Sequence, residues 1–251
     1  MNNYKIILQY EGTRYKGWQR LKTTDNTIQQ KLEMVLSKLM NEAIEIHGSG
    51  RTDAGVHAKG QVANFKSHMC IGDQDKIELF IREINYFLPE DIVVVSLEEV
   101  DDRFHARFMV KQKTYVYQLW LAEHPPVFER NYVYDLGSKR EHLSLKLMED
   151  AAKLFVGTHD FKGYSTDKTK KSTIRTVDEI KFIKEQNMLK IEFKGNGFLY
   201  NMVRIMVGTI IEVGLREREL STLEKVFDTG IREYAGETAP AKGLYLESVI
   251  Y

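Results

Sequence analysis

Ile92-Val93-Val94-Val95-Ser96-Leu97 is short and rich in β-branched residues, the composition of a buried strand rather than a helix. What precedes it gives it meaning. Ile77, Phe80, Ile81, Ile84, Phe87 and Leu88 recur at helical intervals over residues Asp75 to Leu88, and Pro89 ends that helix. Earlier, Ile44 to His47 and Gln61-Val62-Ala63-Asn64-Phe65 read as extended segments on either side of a glycine-rich loop. Thr27-Ile28-Gln29-Gln30 has the spacing of a capping box, followed by a stripe of Ile28, Leu32, Val35, Leu36, Leu39 and Met40. Tyr4, Ile6, Leu8 and Tyr10 alternate along a first strand. The order is strand, helix, strand, strand, helix, strand, which is the split βαβ, or ferredoxin-like, unit.

The remainder repeats that order. Lys113 to Trp120 alternates as a strand, and Leu143, Leu147, Ala151, Leu154 and Phe155 mark a helix that stops before Gly157. Asp160 to Ser165, Thr173 to Lys184 and Met188 to Lys194 read as strands, the last two joined by a turn at Gln186-Asn187. Leu199 to Val213 is an apolar helix halted at Gly214, Thr222 to Asp228 is amphipathic, and Gly243 to Tyr251 closes as a strand. These features predict an α+β protein of two similar halves, residues 1–100 and 101–251, sharing a mainly antiparallel sheet and joined near Glu99–Asp102.

The 251 residues are 43% hydrophobic and 29% charged, the balance of a folded globular chain rather than a disordered one. The single cysteine, Cys70, excludes an internal disulfide and suits a reducing compartment. No apolar signal region precedes the first strand and no apolar run reaches the length of a membrane span, so a cytoplasmic location is expected. Zero net charge argues against a highly basic nucleic-acid binder by charge count alone and leaves room for a local basic surface.

Chemistry concentrates in Gly48-Ser49-Gly50-Arg51-Thr52-Asp53-Ala54-Gly55-Val56-His57-Ala58-Lys59-Gly60-Gln61. Its glycines interrupt regular structure and let backbone approach a ligand, while Arg51, Asp53 and His57 bring a cation, a carboxylate and an imidazole. The same composition also suits a solvated turn. Arg204 lies in an otherwise apolar helix, near Tyr200, Asn201 and Gly208, where a buried cation would need an anionic partner; a snorkelling arginine is the alternative. Tyr115 and Tyr117 share one strand face and suit either a core or a stack on a base. Phe104-His105-Ala106-Arg107-Phe108 mixes aromatic and cationic residues as RNA-binding surfaces do, and Lys168, Lys170, Lys171 and Arg175 form a basic stretch suited to phosphates. The seven histidines show no metal-ligand spacing, and neither a phosphate-binding glycine fingerprint nor a nucleophile elbow is present.

Taken together and in order, several short motifs resemble the TruA family of tRNA pseudouridine synthases over essentially the whole chain. They are Tyr10-Glu11-Gly12 with Gly17-Trp18-Gln19-Arg20, Arg51-Thr52-Asp53-Ala54-Gly55-Val56-His57, Leu88-Pro89-Glu90-Asp91-Ile92, Phe104 to Phe108, Tyr115-Val116-Tyr117, Asn196-Gly197-Phe198, Met202-Val203-Arg204 and Gly243-Leu244-Tyr245-Leu246. The resemblance implies the pseudouridine synthase fold and isomerisation of uridine at positions 38, 39 and 40 of the tRNA anticodon arm, by a homodimer without cofactor or metal. It implies Asp53 as nucleophile, Tyr115 as active-site tyrosine, Arg204 as the arginine paired with the aspartate, and Arg51 as the residue that helps displace the target base. His57 and Arg107 are further candidates for substrate binding. The competing expectation is a non-catalytic tRNA-binding or remodelling protein, for which Asp53 would be dispensable.

Overall fold

The computed structural model describes residues 1–167 and 172–251, so Lys168, Lys170 and Lys171 of the basic stretch lie outside the described residues. Residues Met1–Lys111 with Tyr245–Tyr251 form one compact unit and Gln112–Leu244 a second.

In the first unit, β1 (Asn2–Tyr10) is followed by α1 (Ile28–Met40), β2 (Ile46–Gly48), β3 (His57–Ser67), α2 (Gln74–Phe87) and β4 (Ile92–Val100). Strand β1 lies between β3 and β4, antiparallel to both, with Ile6 opposite Ala63 on one side and Leu97 on the other. Strand β2 pairs antiparallel with β3. The alternation is physical: Tyr4, Ile6, Leu8 and Tyr10 are all buried on one face of β1. Both helix starts are capped by side chains, the Thr27 hydroxyl accepting from the Gln30 N–H and the Asp73 carboxylate from the Lys76 N–H. The apolar stripe of α1 is narrower than its sequence predicts. Val35 and Leu39 are only half-buried, whereas Gln29 and Glu33 are buried because hydrogen bonds satisfy them.

The second unit contains β5 (Gln112–Trp120), β6 (Tyr134–Asp135), α3 (Leu145–Lys153), β7 (Gly157–Asp160), β8 (Ile174–Glu185), β9 (Met188–Gly195), α4 (Met202–Gly214) and α5 (Ser221–Thr229). The order β5-β9-β8-β7 is antiparallel throughout, and β6 pairs parallel with the end of β5. Two expectations change here. The strand predicted over Asp160 to Ser165 stops at Asp160, and Lys162–Tyr164 form a 3-10 turn. That turn brings Phe161 and Tyr164 together, where both pack with Phe227 and Tyr164 also meets Phe155 edge-on. Helix α4 starts at Met202 rather than Leu199, because Asn201 is left-handed at φ 60° and cannot continue a right-handed helix. Nearly every residue of α4 is buried, which explains its apolar sequence.

The last strand, β10 (Leu244–Ile250), runs parallel to β3, with Tyr245 opposite His57 and Leu246 opposite Ala58. The protein is therefore α+β with a mixed sheet.

Candidate active site

The loop from Ser49 to Val56 joins β2 to β3, and buried polar groups hold it on both sides of Asp53. Upstream, the Gln61 side-chain amide donates to the Gly50 carbonyl at 3.0 Å and accepts from the Ser49 hydroxyl at 2.7 Å. The Ser49 N–H donates to the Val62 carbonyl. At Thr52, the hydroxyl pairs with the Tyr10 hydroxyl at 2.8 Å, and the carbonyl accepts from the Trp18 N–H at 3.0 Å. Downstream, the Val56 N–H donates to the Asp53 carbonyl at 3.1 Å. Tyr10, Thr52 and Gln61 are all buried, so water competes poorly for these bonds. Burial pushes the Tyr10 phenol well above its ordinary range, so it remains a neutral partner of Thr52 at any physiological pH. Asp53 itself is half-buried and Arg51 is exposed. The result is a half-buried aspartate on a backbone that is not free to drift.

Gly17 is essential to that arrangement. It has φ +91°, and a Cβ there would lie 2.7 Å from the Thr52 carbonyl oxygen and 3.1 Å from the Ala54 nitrogen. The Gly12-to-Gly17 loop is held in turn by Asp91, whose carboxylate accepts from Arg14 Nε and Nη2 and from the Tyr15 hydroxyl. Burial, reinforced by the Asp91 charge, raises the Tyr15 phenol's pKa and keeps it a donor.

His57 is buried, its Nδ1 accepting the Gly12 N–H at 3.0 Å and its ring stacked on Tyr245 at 4.8 Å. It ties the turn after β1 to the start of β3. Arg107 is exposed beside Phe108, itself 76% exposed, on a turn pinned through Ala106. The Ala106 N–H donates to Asn64 Oδ1, and its carbonyl accepts from the Tyr251 hydroxyl. Apart from that anchor, the turn presents a cation and an aromatic face outward. The His105 ring lies between His47 and Phe108, and burial, then the charges of His47 and Arg107, lower its pKa and favour the neutral ring.

In the second unit, Tyr115 and Tyr117 stand opposite Phe193 and Ile191 of β9. The Tyr117 hydroxyl donates to the Pro240 carbonyl at 2.8 Å, and burial raises its pKa strongly, so this tyrosine is a core residue. Tyr115 is also buried and meets Phe198 edge-on at 5.3 Å. Arg204, in the first turn of α4, is half-buried. Its Nε donates to the Ala239 carbonyl at 2.8 Å and its Nη1 to Asn201 Oδ1 at 2.9 Å. The Ala239 N–H returns a bond to the Arg204 carbonyl. The 237–239 segment reaches the helix at Gly208, where any Cβ would collide with the Glu237 carbonyl. Arg175, the described cation of the basic stretch, is half-buried and donates to the Ser172 and Ile174 carbonyls. Burial lowers its pKa. Among the described residues no three His, Cys, Asp or Glu side chains group as a metal would require, and no helix is long and apolar enough to cross a membrane.

A glycine-bounded Asp loop with an adjacent arginine is common enough in unrelated proteins that its geometry alone leaves the reaction open. The whole-chain comparison closes it. The family model described as tRNA pseudouridine synthase matches residues 6–109 and 151–251. The chain belongs to the tRNA pseudouridine synthase family. It is 46% identical over 251 residues to tRNA pseudouridine synthase A 2 of Bacillus cereus (strain ZK / E33L), covering 99% of each chain. It is 46% identical to tRNA pseudouridine synthase A of Bacillus sp. (strain KSM-64) and 44% identical to tRNA pseudouridine synthase A 2 of Clostridium perfringens (strain 13 / Type A), over 252 residues and all of each chain. As a member of this synthase family it is an isomerase acting on tRNA. Its reaction breaks the N1–C1′ bond of a uridine and rejoins the same base through C5.

The residues that sequence reading missed are the supports of the candidate residues. Gln61 and Asp91 lie in stretches visible in the sequence, yet nothing in their spacing says that one holds the Gly50 carbonyl and the Ser49 hydroxyl and the other the Arg14 and Tyr15 side chains. Ala239 and Pro240 carry no side-chain signal, since they act through their carbonyls.

Proposed function

We propose that this synthase modifies the uridines at positions 38, 39 and 40 of the tRNA anticodon arm, with Asp53 as nucleophile. The observation that carries the reading is a half-buried carboxylate on a loop whose backbone is held on both sides by buried hydrogen bonds. A carboxylate can bond to a carbon of the nucleoside and leave again, which lets one base be detached, turned and reattached at a single centre. On rejoining, C5 takes C1′ and gives up its proton. Tyr115 stacks on the extruded uracil and receives that proton, and Arg204 keeps Asp53 ionised. The target base leaves the helical stack at a cost of roughly a few kcal/mol, and Arg51 fills the space it vacates. Arg107, with Phe108 beside it, meets the RNA, while His57 acts through the turn it ties to β3.

We read residues 1–100 and 101–251 as two ferredoxin-like halves, the first carrying the catalytic loop; the order β4-β1-β3 with β2 against β3 supports this for the first. The working form is a homodimer, and a single exposed cysteine suits the cytoplasm. Transcripts of one substrate tRNA with uridine replaced by cytidine at 38, 39 and 40 in turn, followed by chemical mapping of pseudouridine, test the assignment. Product should vanish only at the replaced positions; product elsewhere in the tRNA overturns it. Two variants test the roles. Tyr115→Phe should bind tRNA normally but lose turnover, and unchanged turnover would leave stacking alone. Arg204→Ala should lose more activity at acid than at alkaline pH, because a carboxylate without its cation protonates more readily. A uniform loss would remove the charge-pairing role.

A further inference from the structure

Two polar residues lie where α1 should be apolar. Gln29 and Glu33 are each 5% exposed, and both hydrogen-bond to the Ile46 backbone of β2. A line of side-chain hydrogen bonds links them to the catalytic loop. Arg51 Nε donates to Gln19 Oε1 at 2.9 Å, Gln19 Nε2 to Gln29 Oε1 at 2.9 Å, and Gln29 Nε2 to Glu33 Oε1 at 2.8 Å.

The two ends of this line fix its direction. A guanidinium only donates and a carboxylate only accepts, whereas each glutamine amide can face either way. With Glu33 at the buried end, Gln29 must turn its NH2 inward, so its oxygen faces Gln19. Gln19 must then offer its own oxygen to Arg51. Further bonds lock the buried end. The Ile46 N–H and Arg20 Nη1 both donate to Glu33, at 3.1 and 3.0 Å, while Gln29 also donates to the Ile46 carbonyl and accepts from the Arg20 N–H. Every hydrogen-bonding group of the Gln29 amide is therefore engaged, and a flipped amide would set oxygen against oxygen at Glu33.

We propose that Gln19, Gln29 and Glu33 are positioning residues that orient the Arg51 guanidinium for its work on the RNA. This rests on the reading above that Arg51 enters the space the target base leaves. An exposed arginine otherwise samples many rotamers, and one held at Nε before the RNA arrives has less freedom to lose. A bond at Nε also leaves the terminal nitrogens to donate to phosphate or base oxygens.

The test is a double-mutant cycle on the full chain with substrate tRNA: native protein, Gln19→Met, Arg51→Ala and the double variant. Gln19 is only half-buried, so Met preserves the fold while removing both amide functions. The single-turnover rate should fall about tenfold in Gln19→Met, with tRNA affinity and Tm nearly unchanged, because the loss is one of orientation. In the Arg51→Ala background the same substitution should cost nothing. Glu33→Gln should behave in the same way if it folds, losing rate only where Arg51 is present. Full activity in Arg51→Ala would overturn the reading of Arg51 and the relay with it. An impaired Arg51→Ala in which Gln19→Met costs the same factor as in the native background would overturn the relay alone and leave the role of Arg51 standing.

Discussion

Asp53→Asn leaves tRNA binding and Tm close to native and lowers the isomerisation rate by about three orders of magnitude or more, equivalent to about 4 kcal/mol of barrier. The two effects separate for a structural reason. Thr52, Gly50, Ser49 and the Asp53 carbonyl all make bonds that hold the loop, and all of these survive in the variant. Asn is the same size as Asp, and its amide cannot act as an anionic nucleophile. Rate should be measured at saturating enzyme in a single turnover and affinity by filter retention of labelled tRNA. A variant that binds weakly as well as reacting slowly would show that the carboxylate also shapes the loop; one that turns over at the native rate would remove Asp53 from the chemistry.

Gly17→Ala carries the second large effect, although Gly17 touches no substrate in this account. Its φ of +91° is costly for any residue with a Cβ, at about 1–3 kcal/mol. The added methyl would also meet the carbonyl oxygen before Asp53 and the nitrogen after it. Relief requires the loop to shift against the bonds that Tyr10 and Gln61 make to it. A displacement near 1 Å at a reacting group costs about two orders of magnitude in rate. The expected result is therefore a modest fall in Tm with a fall in kcat near a hundredfold. Circular dichroism on heating and single-turnover kinetics check both; native kcat would show that the loop tolerates the shift.

Periodicity made much of this molecule legible. Alternation over Tyr4 to Tyr10 located the central strand of the first unit because one face of that strand is wholly apolar, and Pro89 marked the end of α2 because proline cannot continue a helix. The errors share one cause, which is that apolar patterning does not register polar or backbone constraints. Gln29 and Glu33 are buried because their partners lie at Gln19, Arg20 and Ile46, which no helical spacing connects. Asn201 delays α4 through its backbone conformation alone. Phe161 and Tyr164 alternate poorly as a strand and well as a 3-10 turn, but Phe227, which rewards the turn, lies far along the chain.

The candidate site was legible in a different way. Glycines around Arg51, Asp53 and His57 identified a loop that had to approach something closely, and the run of motifs identified the family. What the sequence could not convey was that the loop's own hydroxyls and carbonyls are met by the Tyr10 hydroxyl of β1 and the Gln61 amide of β3. Nor could it separate Tyr115 from Tyr117, which differ in what the hydroxyl meets.

The most direct test of the central claim is release of tritium from tRNA labelled at C5 of uridine, comparing the native protein with Asp53→Asn. Rejoining the base through C5 must expel the hydrogen there, so the signal follows the bond change itself. The native protein should release tritium stoichiometrically, and Asp53→Asn none above background at equal tRNA occupancy. Equal release by both proteins would contradict the nucleophilic role of Asp53.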